Sequence, residues 1–195
     1  MIIPREDFSI LIHILTNQPY TDLNSEELSY IAGFLDGDGC ITAQIVKKQD
    51  YVLKYQIRVS IIFYQKNRRV YFLKWLKSKI GVGTIRSKTS DNVSEYTIVG
   101  IKNVVPVLQL LESKLHLKRE QANLVLKISE LIPQIKNNKE KFILLCEMVD
   151  IVGRLNDSKT RKISALTVKQ LFENEKVPVE TEIVSLDENE CDQDK

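Results

Sequence analysis

One stretch decides the fold of this chain: Ile31-Ala32-Gly33-Phe34-Leu35-Asp36-Gly37-Asp38-Gly39. Gly33 and Gly37 lie four residues apart, so on a helix they share one face that carries no side chains and lets another backbone approach closely. The aspartates and glycines at its end are poor helix formers and suit a turn. The stretch therefore predicts a helix from Ser25 to about residue 35 that presents carboxylates at its C-terminal end.

The residues after this helix alternate between apolar and polar in the manner of half-buried β-strands. The pattern predicts strands at about 40–47, 54–64, 83–88 and 94–99, and helices near 70–80, 102–112, 118–131, 138–154 and 160–173. The order is α-β-β-α-β-β-α followed by C-terminal helices. This order indicates an α+β fold with a four-stranded antiparallel sheet.

Length and composition narrow the class of protein. A chain of 195 residues suits one domain with a substantial core. We expect no membrane partner, because no run of eighteen apolar residues occurs, and no secretory signal, because the N-terminus lacks a basic start. Cys40, Cys146 and Cys191 show no metal-finger spacing, and we expect reduced thiols in an intracellular compartment.

The net charge of +2 conceals an asymmetry. From Glu173 onward nine acids face two lysines, so this end carries −7, whereas residues 1–172 carry +9. A basic body suits a polyanionic partner. A solvated charged surface explains the same numbers, so charge alone leaves both interpretations open.

The motif and its surroundings resemble the LAGLIDADG homing endonucleases. Five residues match the family signature letter for letter: Ala32, Gly33, Asp36, Asp38 and Gly39. Further landmarks follow in the family's order across residues 25–172, at 65–69, 81–86, 115–127 and 155–162. The chain is most similar to the single-motif branch, the homodimeric meganucleases of organellar group I introns.

This resemblance implies hydrolysis of phosphodiester bonds in both strands of a DNA site, with Mg²⁺ or another divalent cation such as Mn²⁺. Such cations prefer oxygen ligands and are held by one or two carboxylates plus substrate phosphate, which assigns Asp38 as metal ligand. The resemblance adds the Gly37 carbonyl. Gln65, Arg69 and Lys118 match family positions around the metals. Their chemistry suits orienting a water and opposing developing negative charge.

The polar face of the sheet is the expected DNA-binding surface, because a two-stranded ribbon fits the major groove and Arg and Gln pair bidentately with base edges. Outward strand positions and the first hairpin loop supply these residues: Gln44, Lys48, Tyr51, Gln56, Arg58, Arg86 and Lys88. The family's backbone-contacting loop is matched by Asn156, Ser158, Lys159 and Thr160, whose polar character suits phosphates. Two such sheets span a pseudo-palindromic site of roughly twenty base pairs.

The chain carries one motif, since the nearest echo, at 151–158, places Ser158 where Asp38 should be. Cutting two strands needs two sites, so we expect a homodimer whose interface includes Ala32, Gly33 and Gly37. Asp36 is expected to cap or brace helix ends. The domain boundaries follow as an N-terminal extension at 1–24, an endonuclease domain at 25–173 and an acidic tail at 174–195 that we expect to be disordered.

Two alternatives stay open at this point. The first is an intron maturase, an RNA-binding splicing factor on the same scaffold, and the second is a DNA-binding regulator that has lost cleavage. The complete set Asp38, Gln65, Arg69 and Lys118 favours retained cleavage over the regulator and does not exclude RNA. The resemblance also implies a location in a chloroplast or mitochondrion.

The opposite charges of body and tail predict that the tail lowers non-specific DNA binding. Deleting residues 178–195 should strengthen that binding at low salt. The difference should shrink as salt rises, since exposed charges lose reach beyond about 10 Å at 0.1 M salt. Filter binding across a salt series measures it. Equal low-salt affinity of both proteins would show that the tail does not screen the basic surface.

Overall fold

The computed structural model describes residues 23–135, 137–156 and 163–174. Their helices and strands, in chain order, are α1 (Ser25–Asp38), β1 (Gly39–Lys47), β2 (Tyr55–Lys66), α2 (Val70–Ile80), β3 (Thr84–Lys88), β4 (Val93–Val99), α3 (Ile101–Leu111), α4 (Arg119–Leu131), α5 (Lys139–Leu155) and α6 (Ala165–Asn174). Short 3₁₀ turns at Asn67–Arg69, Glu112–Lys114 and Ile132–Gln134 join some of them. The predicted α+β order is confirmed.

The sheet has the strand order β1-β2-β4-β3, and every neighbouring pair is antiparallel. Its register places Ile41 opposite Ile61 and Ile61 opposite Ile98. These three side chains are fully buried on one face. The intervening residues point to the other face, which the helices leave open.

Helices pack on the apolar face of the sheet, and aromatic rings form part of this contact. The ring of Phe34 on α1 lies 4.6 Å from that of Phe72 on α2 and stacks on Phe63 of β2 at 6.0 Å. The rings of Phe63 and Tyr96 stack in turn at 5.8 Å. α4 and α5 pack against β1. Within the described residues no helix is long and apolar enough to span a bilayer.

The motif helix is longer than the sequence predicts. It continues through Asp38 instead of ending near residue 35, and the N–H of Gly39 closes its last turn on the Leu35 carbonyl. Helix propensity alone disfavours this ending, but Ile31 and Leu35 are buried and hold the turn in place. Gly39 starts β1 directly, and a side chain there would meet the Leu35 carbonyl oxygen at 2.8 Å. Helix and strand therefore join without a loop.

β2 also runs two residues further than predicted, to Lys66. Gln65 consequently lies in the strand rather than in the turn that follows it. The register explains the extension. Gln65 and Lys66 lie beyond the first residue of β1, but they still pair with Ser94 and Val93 of β4. The end of β2 thus reaches past the pairing of Gly39 with Phe63, alongside the C-terminus of α1.

Asp36 joins α1 to the segment that starts α4. Its side chain is 8% exposed, with Oδ2 accepting the His116 N–H at 2.7 Å and Oδ1 accepting the Lys118 N–H at 2.9 Å. The Lys118 ammonium donates to the main-chain oxygen of Asp36. α4 has no side-chain cap of its own, so Asp36 caps it from another element. The expected bracing role is what the structure shows.

The ionisation of Asp36 follows from these contacts. Burial of the carboxyl raises its pKa, but backbone hydrogen bonds from His116, Lys118 and Leu117 and the charge of Lys118 outweigh burial. The pKa of Asp36 is therefore lowered from its ordinary value of 3.8. The ionised form stabilises the fold above that ordinary value, and the contribution is lost as pH falls through the lower folded-state pKa.

Asp36→Asn should lower the free energy of unfolding by about 2 kcal/mol at neutral pH, because it weakens two hydrogen bonds to a charged acceptor. Urea titrations without divalent cations measure the difference, which should shrink in acid. Asp50→Asn serves as control, since Asp50 is exposed and makes only a 3.7 Å surface ion pair with Lys48. An equal, small loss in both variants would contradict the brace.

Candidate catalytic centre and nucleic-acid interface

The C-terminus of α1 presents two kinds of oxygen donor to solvent. Asp38 is its last residue and is exposed, and no hydrogen bond or salt bridge within residues 23–135, 137–156 and 163–174 engages its carboxylate. Gly37 is also exposed, and carbonyls in the last turn of a helix lack intrahelical partners. Carboxylate and carbonyl oxygens are the ligands that hard divalent cations prefer.

One chain supplies only part of a metal site. In the described part of the chain no cluster of three or more His, Cys, Asp or Glu side chains exists. Mg²⁺ commonly uses one or two protein carboxylates and keeps waters and substrate phosphate as its other ligands. The donors at Gly37 and Asp38 fit that mode of binding. They do not fit a site made wholly of protein side chains.

Three further residues are predicted to be catalytic, and the structure shows a contact with this helix end for Lys118. Lys118 is half-buried and lies directly against it, since its ammonium bonds the Asp36 carbonyl two residues before Asp38. Gln65 lies on the overhanging end of β2, where its Oε1 accepts the Lys66 N–H at 3.0 Å. Arg69 ends the following 3₁₀ turn with an exposed side chain. Of these three side chains, Lys118 is the one whose hydrogen bond to α1 is described.

Tyr64 and Cys40 are neighbours of the site that the sequence reasoning missed. Burial raises the pKa of the Cys40 thiol, and the Lys118 charge opposes this rise. Burial also raises the pKa of Tyr64, as do the charges of Cys40 and Glu95. Cys40, two residues after Asp38, is thus coupled to Lys118, and Tyr64 is coupled to Cys40 and Glu95. The alternation that gave Gln56 and Arg58 an outward direction extends to Tyr64 and was a usable signal.

Both described cysteines are free, as expected. Burial and the nearby Asp150 and Glu147 carboxylates raise the pKa of Cys146 to about 12. Neither described thiol is therefore activated as a nucleophile.

The predicted sheet residues lie on the open face, and several pair with one another. Arg58 donates to the Gln44 Oε1 at 3.0 Å, and Lys88 lies 3.4 Å from the Glu95 carboxylate. In the hairpin loop the Lys48 ammonium lies 6.0 Å from the ring centroid of Tyr51. The other predicted contacts also lie on this face, with Arg86 exposed and Gln56 half-buried. The face thus holds hydrogen-bonding groups in ordered cross-strand pairs.

Of the four residues expected to contact the DNA backbone, Asn156 lies within the described residues. The Asn156 side chain donates to the Ile41 carbonyl at 2.7 Å, so its amide is already engaged within the chain. Ser158, Lys159 and Thr160 lie outside the described residues.

The predicted interface face of α1 is open at two of its three named positions. Gly33 and Gly37 are exposed, and an added Cβ at either meets nothing within 4 Å. Ala32 is fully buried in the core of its own chain and lies beneath that face. The difference arises because adjacent helix positions point about 100° apart.

Comparisons with known proteins agree with this geometry. Residues 31–122 match the LAGLIDADG endonuclease family. The chain is 44% identical to DNA endonuclease I-CreI of Chlamydomonas reinhardtii over 79% of its length and 93% of the relative. It is 40% identical to DNA endonuclease I-CvuI of Chlorella vulgaris over 78% of its length and 94% of the relative.

A crystal structure of the homing endonuclease I-CvuI, in complex with its target in the presence of 2 mM Ca, superposes with a TM-score of 0.72. The alignment covers 76% of this chain and 94% of that one at 38% identity. A motif helix ending in Asp38, a sheet with one open polar face and relatives of this similarity lead to one conclusion: the chain belongs to the LAGLIDADG endonuclease family.

Proposed function

We propose that this protein is a homing endonuclease that binds a long pseudo-palindromic DNA site as a homodimer and cleaves both strands with a divalent cation. The observation that carries the proposal is the exposed Asp38 carboxylate, which has no partner among the described residues and lies two residues after the carbonyl that Lys118 bonds. A binding protein without cleavage has no need for a carboxylate next to the polyanion it binds, since like charges repel.

The residues divide the chemistry of phosphodiester hydrolysis between them. Asp38 and the Gly37 carbonyl would hold Mg²⁺ or Mn²⁺, which supplies charge neutralisation and an acidified water when bound. Lys118 opposes negative charge that develops on the phosphate, and Arg69 adds to this field. Gln65 orients the attacking water through its amide. Because both Asp36 interactions fix Lys118, its ammonium is preorganised before DNA arrives.

DNA recognition uses the open face of the sheet. β2 has twelve residues, so at ~3.3 Å per residue it is about as long as twelve base pairs and can follow one half-site. The Arg58 guanidinium and the Gln44 amide are hydrogen-bonded to each other in the free protein. On binding DNA they give up this bond and contact base edges instead. RNA binding is a less favoured alternative, since a deep, narrow major groove excludes such a sheet from duplex RNA.

The dimer rests on apolar side chains that border the Gly33 and Gly37 face. Tyr30 on α1 is 58% exposed, Tyr71 in the first turn of α2 is 69% exposed and Leu117 is 76% exposed. The Phe34–Phe72 contact brings the start of α2 beside the end of α1, and Asp36 holds the Leu117 segment at the same end. Exposed large apolar groups around one bare helix face mark a protein contact, and a second copy fits it.

The domain bounds and the location are further parts of this proposal. We assign residues 25–173 to the endonuclease domain, with α6 ending at Asn174. An organelle remains the proposed location, by similarity to intron-encoded endonucleases, and the free thiols of Cys40 and Cys146 suit a reducing compartment.

Asp38→Asn should abolish double-strand cleavage, by at least about a thousandfold, because it removes the metal-binding charge at constant shape. Affinity for the target should change little. Cleavage in Mg²⁺ and fluorescence anisotropy in Ca²⁺ measure the two effects. Glu130→Gln, at an exposed position on α4, is the control and should cut like wild type. A variant that cuts near the wild-type rate removes Asp38 from the catalytic centre.

Gly33→Leu should weaken dimerisation by more than tenfold, since the new side chain fits the single chain but occupies the surface that a second helix must approach. Its own helix should gain slightly, by up to about 1 kcal/mol. Sedimentation with cognate DNA should show two wild-type chains per duplex. Gln109→Leu, exposed on α3, controls for added hydrophobicity. A wild-type monomer that cuts both strands would contradict the proposed homodimer.

A further inference from the structure

The C-terminal end of α5 is held by two side-chain amides that the proposed chemistry does not use. Gln121 on α4 donates through Nε2 to the Leu155 carbonyl at 3.1 Å. The next residue after Leu155, Asn156, donates through Nδ2 to the Ile41 carbonyl of β1 at 2.7 Å. Consecutive residues at one helix end are thus fastened to two different elements.

Each of these two elements begins directly after a proposed catalytic residue, α4 after Lys118 and β1 after Asp38. Gln121 lies three residues after Lys118, in the first turn of α4. Ile41 lies three residues after Asp38, near the start of β1. The end of α5 therefore connects the backbone behind the ammonium with the backbone behind the carboxylate.

Gln121 is not explained by packing. It is 7% exposed, and its Oε1 is buried with no hydrogen-bond partner. A buried acceptor without a partner is unfavourable, and an apolar side chain of equal length would avoid it. The Gln121 amide contributes one directional hydrogen bond, to the Leu155 carbonyl, which an apolar side chain could not make.

Asn156 meets a need created by the position of β1. This strand is at the edge of the sheet, so one side of its backbone has no neighbouring strand. Asn156 satisfies one carbonyl there across 115 residues of sequence. Its amide is consequently committed to the strand and is not free for a phosphate.

We infer that Gln121 and Asn156 are positioning residues that hold α4 and β1, and with them Lys118 and Asp38, in fixed relation through the end of α5. The inference rests on the proposed endonuclease function. Gln121 acts on the Lys118 side and Asn156 on the Asp38 side. Loss of either contact leaves DNA binding intact and misaligns one catalytic group.

The test compares Gln121→Met and Asn156→Ala with matched controls on full-length protein. Gln134 is exposed and Asn103 is half-buried, and both donate in the same way to backbone carbonyls, at 3.2 Å to Glu130 and 3.0 Å to Val99. Gln134→Met and Asn103→Ala therefore delete the same kind of hydrogen bond elsewhere. The measurements are thermal melting, affinity for the cognate duplex in Ca²⁺, and single-turnover cleavage of the saturated complex across Mg²⁺ concentrations.

We expect both test variants to cut the saturated complex about three- to tenfold more slowly, the kinetic equivalent of one neutral hydrogen bond. Affinity should stay within about threefold of wild type. Asn156→Ala should also raise the Mg²⁺ concentration for half-maximal cleavage, whereas Gln121→Met should not. Both controls should cut like wild type.

Other outcomes overturn the inference. Weaker binding with an unchanged saturated rate for Asn156→Ala would make Asn156 a DNA contact. A rate loss that follows the unfolded fraction alone, or an equal loss in the controls, would make the amides merely structural. If Asn156→Ala does not fold, Gln121→Met decides alone, because it keeps the side-chain volume. The wild-type arm reports on the proposed function, and the ratio of variant to wild type reports on this inference.

Discussion

The hydrogen bonds of the Asp36 carboxylate with the backbone at 116 and 118 are the constraint on which the site depends. They join the end of the motif helix to the start of α4, two elements about 80 residues apart in the chain. The last turn of α1 consists of residues with low helix propensity, and these hydrogen bonds add to the buried Ile31 and Leu35 in maintaining it. With them, the turn is held and the Lys118 ammonium lies against it.

Two aspartates two residues apart thereby take opposite roles. Asp36 points inward, is 8% exposed and spends its oxygens on backbone N–H groups. Asp38 points outward and keeps its oxygens available. Helical geometry separates them by about 200°, so one helix end can brace the fold and present the proposed metal ligand at the same time.

The two faces of the sheet likewise have different roles. Strand alternation sends Ile41, Ile61 and Ile98 to the helices and Gln44, Arg58 and Arg86 to the open face. The apolar face binds the helical layer that carries the proposed catalytic groups, and the polar face is the proposed surface for DNA. For a LAGLIDADG endonuclease this arrangement sets the distance between recognition and chemistry by core packing, which is rigid.

The sequence by itself determined the element order, the two-faced sheet and the residues of the open face, because periodicity and alternation are local properties of the chain. It also indicated Asp38 and the bare Gly33 and Gly37 face through a resemblance carried by one motif. The tertiary structure decided the continuation of α1 to Asp38, the burial of Ala32 and the partner of Asn156. These depend on contacts between residues 80 to 115 positions apart, such as His116 with Asp36 and Asn156 with Ile41, which no local pattern encodes.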